Sequence, residues 1–151
     1  MSQLSDIREA VADRIRASGI DSSVNVFAYP PIDPALPAVL IWPTGDTYLE
    51  YHNTMGPVCL QTVHLIAQVI VPLGGSAQSA QKFLDELLSS GTGEAVSLAD
   101  AITGNNVTIG TGVGYMLAGD AENWRMGELT RTQTTPVVAA DIPVTVGLKR
   151  S

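Results

Sequence analysis

The longest strand-like segment of the chain lies between Pro57 and Pro72, and it constrains the fold more than any other feature. The fourteen residues between these prolines, VCLQTVHLIAQVIV, contain no Gly and no Pro. They are rich in Val, Ile, Leu and Thr, which suit a pleated strand. A typical strand has about five or six residues, whereas this one would extend for roughly 46 Å at about 3.3 Å per residue.

Side chains alternate between the two faces of a strand, so this segment divides into two sets. One set is apolar and is expected to pack against helices: Cys59, Val63, Leu65, Ala67, Val69 and Val71. The other set mixes apolar and polar residues: Leu60, Thr62, His64, Ile66, Gln68 and Ile70. We expect the mixed face to be partly exposed in one subunit and covered by a neighbouring subunit in an assembly.

The length and charge of the chain narrow the classes of protein to which it can belong. At 151 residues we expect a single domain over 1–151. The formal net charge of −7 disfavours nucleic acid and anionic membrane surfaces as primary ligands, because both are bound through Lys and Arg. Charged residues make up only 15%, against a typical ~25%, so the surface is covered either by neutral polar groups or by other subunits, and the long two-sided strand fits the second.

Targeting signals and disulfides are not expected. The N-terminus MSQLSDIREA lacks a basic region followed by an apolar one, and no apolar run approaches the ~20 residues that cross a bilayer. Cys59 is the single cysteine, so no internal disulfide can form. The sequence therefore predicts a soluble protein made in a reducing cytoplasm.

Two helices are predicted from apolar residues at helical spacing. Leu4, Ile7, Val11 and Ile15 form one stripe on a helix over about 3–18. The segment 76–91 shows the i, i+3, i+4, i+7, i+8 pattern, with Ser76 and Gly91 placed as caps. A third, shorter helix over about 97–103 is indicated by a capping box at its start.

The remaining segments predict further strands and two polar arms. Strands are expected at 24–29 and at 38–42, the second buried on both faces, with a stiff proline-rich connection at 30–37. The polar segment 44–56 is either a hairpin arm or a long ordered loop. The Thr-rich segment 123–135 is a candidate protruding hairpin or edge.

The last strand, 137–148, alternates between an apolar face and a face that contains Pro143. Because proline lacks a backbone donor, this strand is predicted to lie at an edge or to carry a bulge at Pro143. Strands and helices do not alternate regularly along the chain. The pattern therefore predicts an α+β fold, with a mixed, mostly antiparallel sheet and helices packed on one face.

Candidate ligand sites in the sequence are weak. Gly110-Thr-Gly112-Val-Gly114 resembles a phosphate loop. The dinucleotide fingerprint, however, needs its third glycine at position 115, which is Tyr115, and needs a helix to follow, where the pattern here indicates a strand. Turn glycines are the simpler interpretation. His52, Cys59 and His64 match no zinc spacing, and Cys59 and His64 would point to opposite faces of a strand. We expect no metal and no cofactor.

Catalytic groups do not stand out either. Asp120 and Glu122 are two residues apart and permit a carboxylate pair, although carboxylates beside a turn are usually solvated. Trp124-Arg125 could provide a cation–π or partner contact, or a purely structural one. No GxSxG nucleophile elbow is present. We expect that the protein is not an enzyme.

The order of segments carries a family resemblance. An amphipathic helix leads to VNVFAYPPIDPALPAVLIWP, then to the long strand VHLIAQVIV, then to SAQKFLDELLSSG and GEAVSLADAI, and finally to VVAADIPVTVGL. In this order the chain resembles the tail terminator proteins of long-tailed, siphovirus-type bacteriophages, especially those of actinobacterial phages. The resemblance covers nearly the whole chain and rests on order, length and patterning.

The resemblance implies a structural virion protein, made in the host cytoplasm and found in the tail and neck. Members of the family are small α+β subunits that form a ring, usually a hexamer, at the head-proximal end of the tail tube. The ring ends tube polymerisation and joins the tail to the neck. The implied partners are further copies of the chain, the tail tube protein and the head–tail connector or stopper protein. DNA would pass through the lumen without specific binding.

Two other functions remain open at this point. The chain could be another neck component, such as a head–tail stopper or a minor tail subunit, or a small enzyme or ligand-binding domain. If it forms a ring, the polar arms are the candidate interaction sites, with ordinary surface loops as the alternative. Their residues are Asp46, Tyr48, Glu50 and Tyr51 in one arm and Trp124, Arg125, Arg131 and Thr132 in the other.

Overall fold

A computed structural model describes residues 3–18, 23–31, 35–44, 48–52, 59–73, 77–88, 102, 104–109, 112–127 and 136–150. The elements follow in this order along the chain: α1 (Gln3–Ala17), β1 (Asn25–Phe27), β2 (Ala38–Pro43), β3 (Leu49–His52), β4 (Cys59–Pro72), α2 (Ala77–Leu88), β5 (Gly104–Ile109), β6 (Gly112–Ala118), β7 (Glu122–Gly127) and β8 (Val137–Arg150).

The centre of the fold is an antiparallel pair of two long strands. β4 and β8 each have 14 residues, and they pair along their full length from Cys59 opposite Arg150 to Pro72 opposite Val137. The prediction of one unusually long strand between Pro57 and Pro72 is therefore confirmed, and β8 is its equally long partner.

Shorter strands fill the two flanks of this pair. β2 and β3 lie end to end along β4, and β6 and β7 lie end to end along β8. β1 extends the sheet beyond β2, and β5 extends it beyond β6, so the described residues form eight strands in the order β1-β2-β4-β8-β6-β5 with β3 and β7 off this path. Among these described strands, only the β1·β2 pair is parallel. The sheet is thus mixed and mostly antiparallel, as predicted.

The main core lies between the two helices and one face of the sheet. The predicted stripe on α1 is buried at Ile7, Val11 and Ile15, and α2 buries Ala80, Leu84 and Leu87. The strands supply the β4 residues that the sequence assigned to the helix face and the apolar face predicted for the last strand: Val63, Leu65, Ala67, Val69 and Val71 of β4, and Val138, Ala140, Ile142, Val144 and Val146 of β8. The predicted α+β fold with helices on one face is confirmed.

The second face of the sheet is divided into a covered part and an open part. A small cluster of Ala38, Leu40, Ile70, Val137 and Ala139 is buried, with Phe27 and Leu36 packed against it. Further along β4, His64, Ile66 and Gln68 are only half-buried. The predicted mixed face is therefore partly exposed, except at Thr62 and Ile70, which the chain itself buries.

The prediction that β8 lies at an edge or bulges at Pro143 is wrong. β8 is flanked by strands on both sides, and its register with β4 runs through Pro143 without a shift. The carbonyl of Pro143 accepts a hydrogen bond from Gly119 N at 2.7 Å, so the backbone of Pro143 faces the β6/β7 flank. β6 ends opposite Val144 and β7 begins opposite Asp141, so the missing N–H falls in the gap between two strands.

A second correction concerns β2, which was predicted to be buried on both faces. Ala38, Val39, Leu40 and Ile41 are buried, but Trp42 is 42% exposed at the open end of the strand. Pro43, one residue beyond the expected end at 42, is the last residue of the strand. Segment 44–56 contains β3, so its hairpin-arm interpretation is confirmed. The predicted helix at 97–103 lies outside the described residues, apart from helical Ile102.

Candidate interaction surfaces

Helix α1 closes the outer edge of β1 through Arg8. The Arg8 guanidinium donates from Nε to the carbonyl of Ala28 at 3.0 Å and from Nη2 to the carbonyl of Ile41 at 2.8 Å. The ring of Tyr29 lies 4.2 Å from its central carbon, which is a cation–π contact. Arg8 thus binds the carbonyl groups where β1 and β2 stop pairing.

Two further arginines of α1 bind backbone carbonyls in the same way. Arg16 donates to the carbonyl of Val26 at 2.7 Å, and Arg14 donates to the carbonyl of Ile102 at 2.9 Å. The N–H of Asn25 bonds to Pro37, on the β2 side, so Val26, one residue on, directs its backbone outward. A cationic side chain therefore occupies a position that an added strand would need.

The same helix also contacts β5 at the other end of the strand order. A helix that touches both β1 and β5 requires the sheet to curl around it. Both terminal strands of the sheet are thus next to α1. Among the described strands, the edges without a strand partner therefore belong to the two strands off the main path, β3 and β7.

β3 pairs with β4 and, among the described residues, with no other strand. The N–H of His64 donates to the carbonyl of Tyr48 at 2.8 Å, so the Tyr48 backbone faces β4. Backbone groups alternate in direction along a strand, so Leu49 and Tyr51 direct their N–H and C=O groups away from β4. Tyr48 itself is half-buried and packs against the main core.

β7 forms the corresponding edge on the opposite flank, pairing with β8 alone among the described residues. Arg125 lies opposite Ala139 and forms an ion pair with Asp141 at 3.2 Å, while Trp124 is 52% exposed. The register shifts between Glu122 and Arg125, and Asn123 has a φ of 56°. A bulge of this kind bends an edge strand and increases its twist.

The open part of the second sheet face carries exposed apolar and aromatic side chains. Trp42 lies opposite Ile66, which lies opposite Pro143, so the three form one row across the sheet. The indole Nε1 of Trp42 donates to Oε1 of Gln68 at 2.8 Å, which fixes the ring on the sheet surface. Large exposed residues such as these are typical of the centres of protein interfaces.

Tyr115 and Leu117 continue this face on β6. Tyr115 lies opposite Gly147 of β8, and Leu117 lies opposite Thr145. A Cβ atom built on Gly147 would overlap the Tyr115 ring and come within 2.7 Å of its Oη. The tyrosine ring therefore lies directly on the backbone of the central strand, and only glycine leaves room for it.

The described side chains form neither a metal-binding cluster nor a buried polar group without a partner. Within the described ranges, no cluster of three or more His, Cys, Asp or Glu residues is arranged to hold a metal ion. In the same ranges, every buried side-chain nitrogen or oxygen has a hydrogen-bond partner. No helix in the described part of the chain is long and apolar enough to cross a membrane.

The predicted interaction residues are distributed as follows. Tyr48, Glu50 and Tyr51 lie in or beside β3, and Trp124 and Arg125 lie in β7, on opposite flanks of the sheet. Asp46, Arg131 and Thr132 lie outside the described residues. Of Asp120 and Glu122, the carboxylate pair considered in the sequence, both are exposed next to the β6–β7 connection.

The sequence did not predict that Trp42, Tyr115 and Leu117 are exposed on the open sheet face. Tyr115 and Leu117 alternate with Gly114 and Met116, which is a visible strand pattern. Alternation alone does not identify the face that meets the helices. In the structure Met116 is buried in the main core, so Tyr115 and Leu117 lie on the opposite face. A scan against protein-family models finds no match for the chain, and a search of curated proteins finds none either.

Proposed function

We propose that this chain is a structural subunit of a bacteriophage virion that forms a homo-oligomeric ring at the head-proximal end of the tail tube. In this role it ends tube polymerisation and joins the tail to the neck. The proposal begins from the order of sequence segments that resembles tail terminator proteins. It involves no reaction and no cofactor.

The structural observation that supports the proposal most directly is the open sheet face. Monomeric proteins rarely expose contiguous apolar patches larger than about a few hundred Å², and larger patches usually mark contacts between proteins. Here Trp42, Tyr115 and Leu117 stand exposed on the side of the sheet away from the helices. A subunit that works only inside an assembly accounts for this surface.

The charge distribution supports passage of DNA without binding. The arginines whose side chains the structure describes are Arg8, Arg14, Arg16 and Arg125, and each donates to a group of its own chain. Each of these guanidinium groups thus has some of its donors engaged within its own chain, and the chain as a whole carries a net charge of −7. Like charge keeps a polyanion from adhering, so an acidic lumen suits a DNA channel.

Electron microscopy of virions and of tails assembled without this protein tests the proposal. We expect rings of about six copies at the head-proximal end of the tube, and tails longer than normal when the protein is missing. Tails of normal length that fail to join heads would instead identify a stopper. Tails of normal length that join heads normally would refute a role at this end of the tail.

Retention on duplex DNA at low ionic strength provides a second test. A protein that lets DNA pass should show no retention, since affinity for a phosphate backbone depends on Lys and Arg contacts that release counterions. Retention that weakens steeply with added salt would contradict the proposed channel surface.

A further inference from the structure

Within the described part of the chain, β3 and β7 each leave one edge unpaired, and these two edges have the geometry of a head-to-tail contact between copies. β3 lies on the β2 flank of the central pair and β7 lies on the β6 flank. The outer edges of β1 and β5 lie next to α1, and β1 has its outward carbonyls bound by arginine. An edge that is neither covered nor bound is a template for pairing with another chain.

We infer that β7 of one copy pairs with β3 of the next, so that the sheet continues from subunit to subunit around the proposed ring. The inference rests on the proposed function in one respect, namely that the linked subunits close into a ring. The contact is heterologous, because two different surfaces meet, and heterologous contacts close into rings when the rotation between copies permits.

The direction of the strands suits this contact. β3 and β8 both run antiparallel to β4, and β7 runs antiparallel to β8. β3 and β7 therefore run in opposite directions within one subunit. Symmetry-related subunits keep the same inclination of their strands to the ring axis, so β7 meets the neighbouring β3 as an antiparallel pair, which carries well-aligned ladder hydrogen bonds.

The free backbone groups also match. On β3 the backbone groups of Leu49 and Tyr51 face outward, because the carbonyl of Tyr48 faces β4 and directions alternate along a strand. On β7, Arg125 and Gly127 lie opposite the odd-numbered β8 residues Ala139 and Val137, whose backbone groups face β7, so Met126 faces outward. The register that places Leu49 opposite Met126 satisfies both strands.

Charge complementarity favours a second copy as the occupant of each edge. Segment 44–52 contains two acidic residues, Asp46 and Glu50, and no Lys or Arg, for a net charge of −2. Segment 122–132, which begins with β7, contains two arginines and two glutamates and is neutral in a chain that carries −7. The same register sets Glu50 opposite Arg125, and opposite charges across a strand pair are favourable.

The edges lie at opposite ends of the long central strands. β3 pairs with residues 60–63 of β4, whereas β7 pairs with residues 137–141 of β8, which lie opposite 68–72 of β4. The offset is roughly eight residues, or about 26 Å along the strands. Joining them therefore places the strands oblique to the ring axis, as strands lie in closed barrels at about 35–45°.

Disulfide cross-linking in a Cys59→Ser background tests the contact. Glu50→Cys and Arg125→Cys lie opposite each other without a hydrogen bond between them, a separation of about 4.5 Å that a disulfide spans. Under mild oxidation the double variant should give a ladder beyond dimers. A mixture of the two single variants should give only dimers, and each single variant alone should give none.

Several outcomes would overturn the inference or separate it from the proposed function. Dimers from one single variant alone would show a symmetric contact and overturn it. Rings seen by electron microscopy without any cross-link would also overturn it and leave the proposed function standing. Cross-linked open chains without rings would support the edge pairing and refute the ring, while neither rings nor cross-links would refute both.

A proline variant keeps the inference testable if the cysteine variants fold poorly. Met126→Pro removes an outward N–H and leaves the β7·β8 hydrogen bonds in place, and Met126→Ala is the matched control. Met126→Pro should abolish ring assembly with an unchanged urea midpoint for the monomer, and Met126→Ala should assemble normally. Normal assembly of Met126→Pro would contradict pairing through β7.

Discussion

Replacing Gly147 by Ala probes the close contact between β6 and β8. The added Cβ would overlap the ring of Tyr115, and strand β8 cannot retreat because it is paired on both sides. The tyrosine ring must therefore rotate away from the sheet. Because Tyr115 is 38% exposed, open space is available for that movement, so the protein should still fold.

The cost can be bounded from the buried area of the tyrosine. An aromatic side chain buries roughly 150–250 Å² when fully enclosed, so a partly exposed ring lifted off the sheet loses about 100 Å². At ~25 cal/mol per Å² this corresponds to about 2.5 kcal/mol as an upper estimate. Overpacked positions typically cost about 1–3 kcal/mol. We expect Gly147→Ala to destabilise the protein by about 1–3 kcal/mol.

Urea denaturation of the two single variants and the double variant gives a sharper result than the single value. In a Tyr115→Ala background the overlap is gone, and Ala in a strand costs about 0.5–1 kcal/mol less backbone entropy than Gly. Gly147→Ala should therefore lower the urea midpoint in the natural sequence and raise it when Tyr115 is absent. A decrease of similar size in both backgrounds would refute the ring contact as the reason for glycine.

Three further predictions concern the edge, the central strand and the open face. Arg8→Met should destabilise the protein by about 2–3 kcal/mol in urea denaturation, because two buried carbonyls lose a charged donor; an unchanged midpoint would mean that solvent satisfies them. Pro143→Ala should change the free energy of unfolding by less than about 1 kcal/mol. Thr145→Pro removes a donor that faces β6 and should cost about 3 kcal/mol or more. Equal costs for the two variants would contradict the gap between β6 and β7. Iodide should quench Trp42 in the monomer and quench it less in an assembled ring, measured with Trp124→Phe so that one tryptophan reports; equal quenching would exclude Trp42 from any contact.

The long strand could be predicted because its signal is local. Fourteen residues without Gly or Pro, rich in β-branched side chains, specify a strand whatever lies beside it. The helix face of β4 and the apolar face of β8 were predicted for the same reason, since alternation of apolar residues identifies a buried face. Helix α1 followed from its spacing and ends at Ala17, within one residue of the expected end.

The neighbours of each strand could not be predicted, because pairing joins residues that are distant in sequence. Pro143 shows the consequence. From sequence, a proline excludes a central position, yet the backbone of Pro143 faces the one place where β8 has no ladder partner. The exposure of Trp42 has a similar origin, because burial at the end of β2 depends on what crosses the second face.

The interaction residues show the same limit. The sequence identified two polar arms, and the structure places their described parts, β3 and β7, on opposite flanks of the sheet. It did not show that Tyr48 packs against the core or that Arg125 pairs with Asp141. Exposure was inferred from the polarity of each segment. An aromatic side chain beside a strand can lie on either face of the sheet, so its burial does not follow from the sequence.

The length of the central strands explains why open edges exist at all. A fourteen-residue strand is longer than its flanking strands, which have four to seven residues, so each flank of the β4·β8 pair is filled by two short strands end to end. Only one strand on each flank is extended outward, by β1 and by β5, and both extensions lie next to α1. The unextended strands, β3 and β7, are consequently at diagonal corners. A shorter central pair would need only one strand per flank and would leave no such corners, so the unusual strand length and the two edges available to a neighbouring copy have the same structural cause.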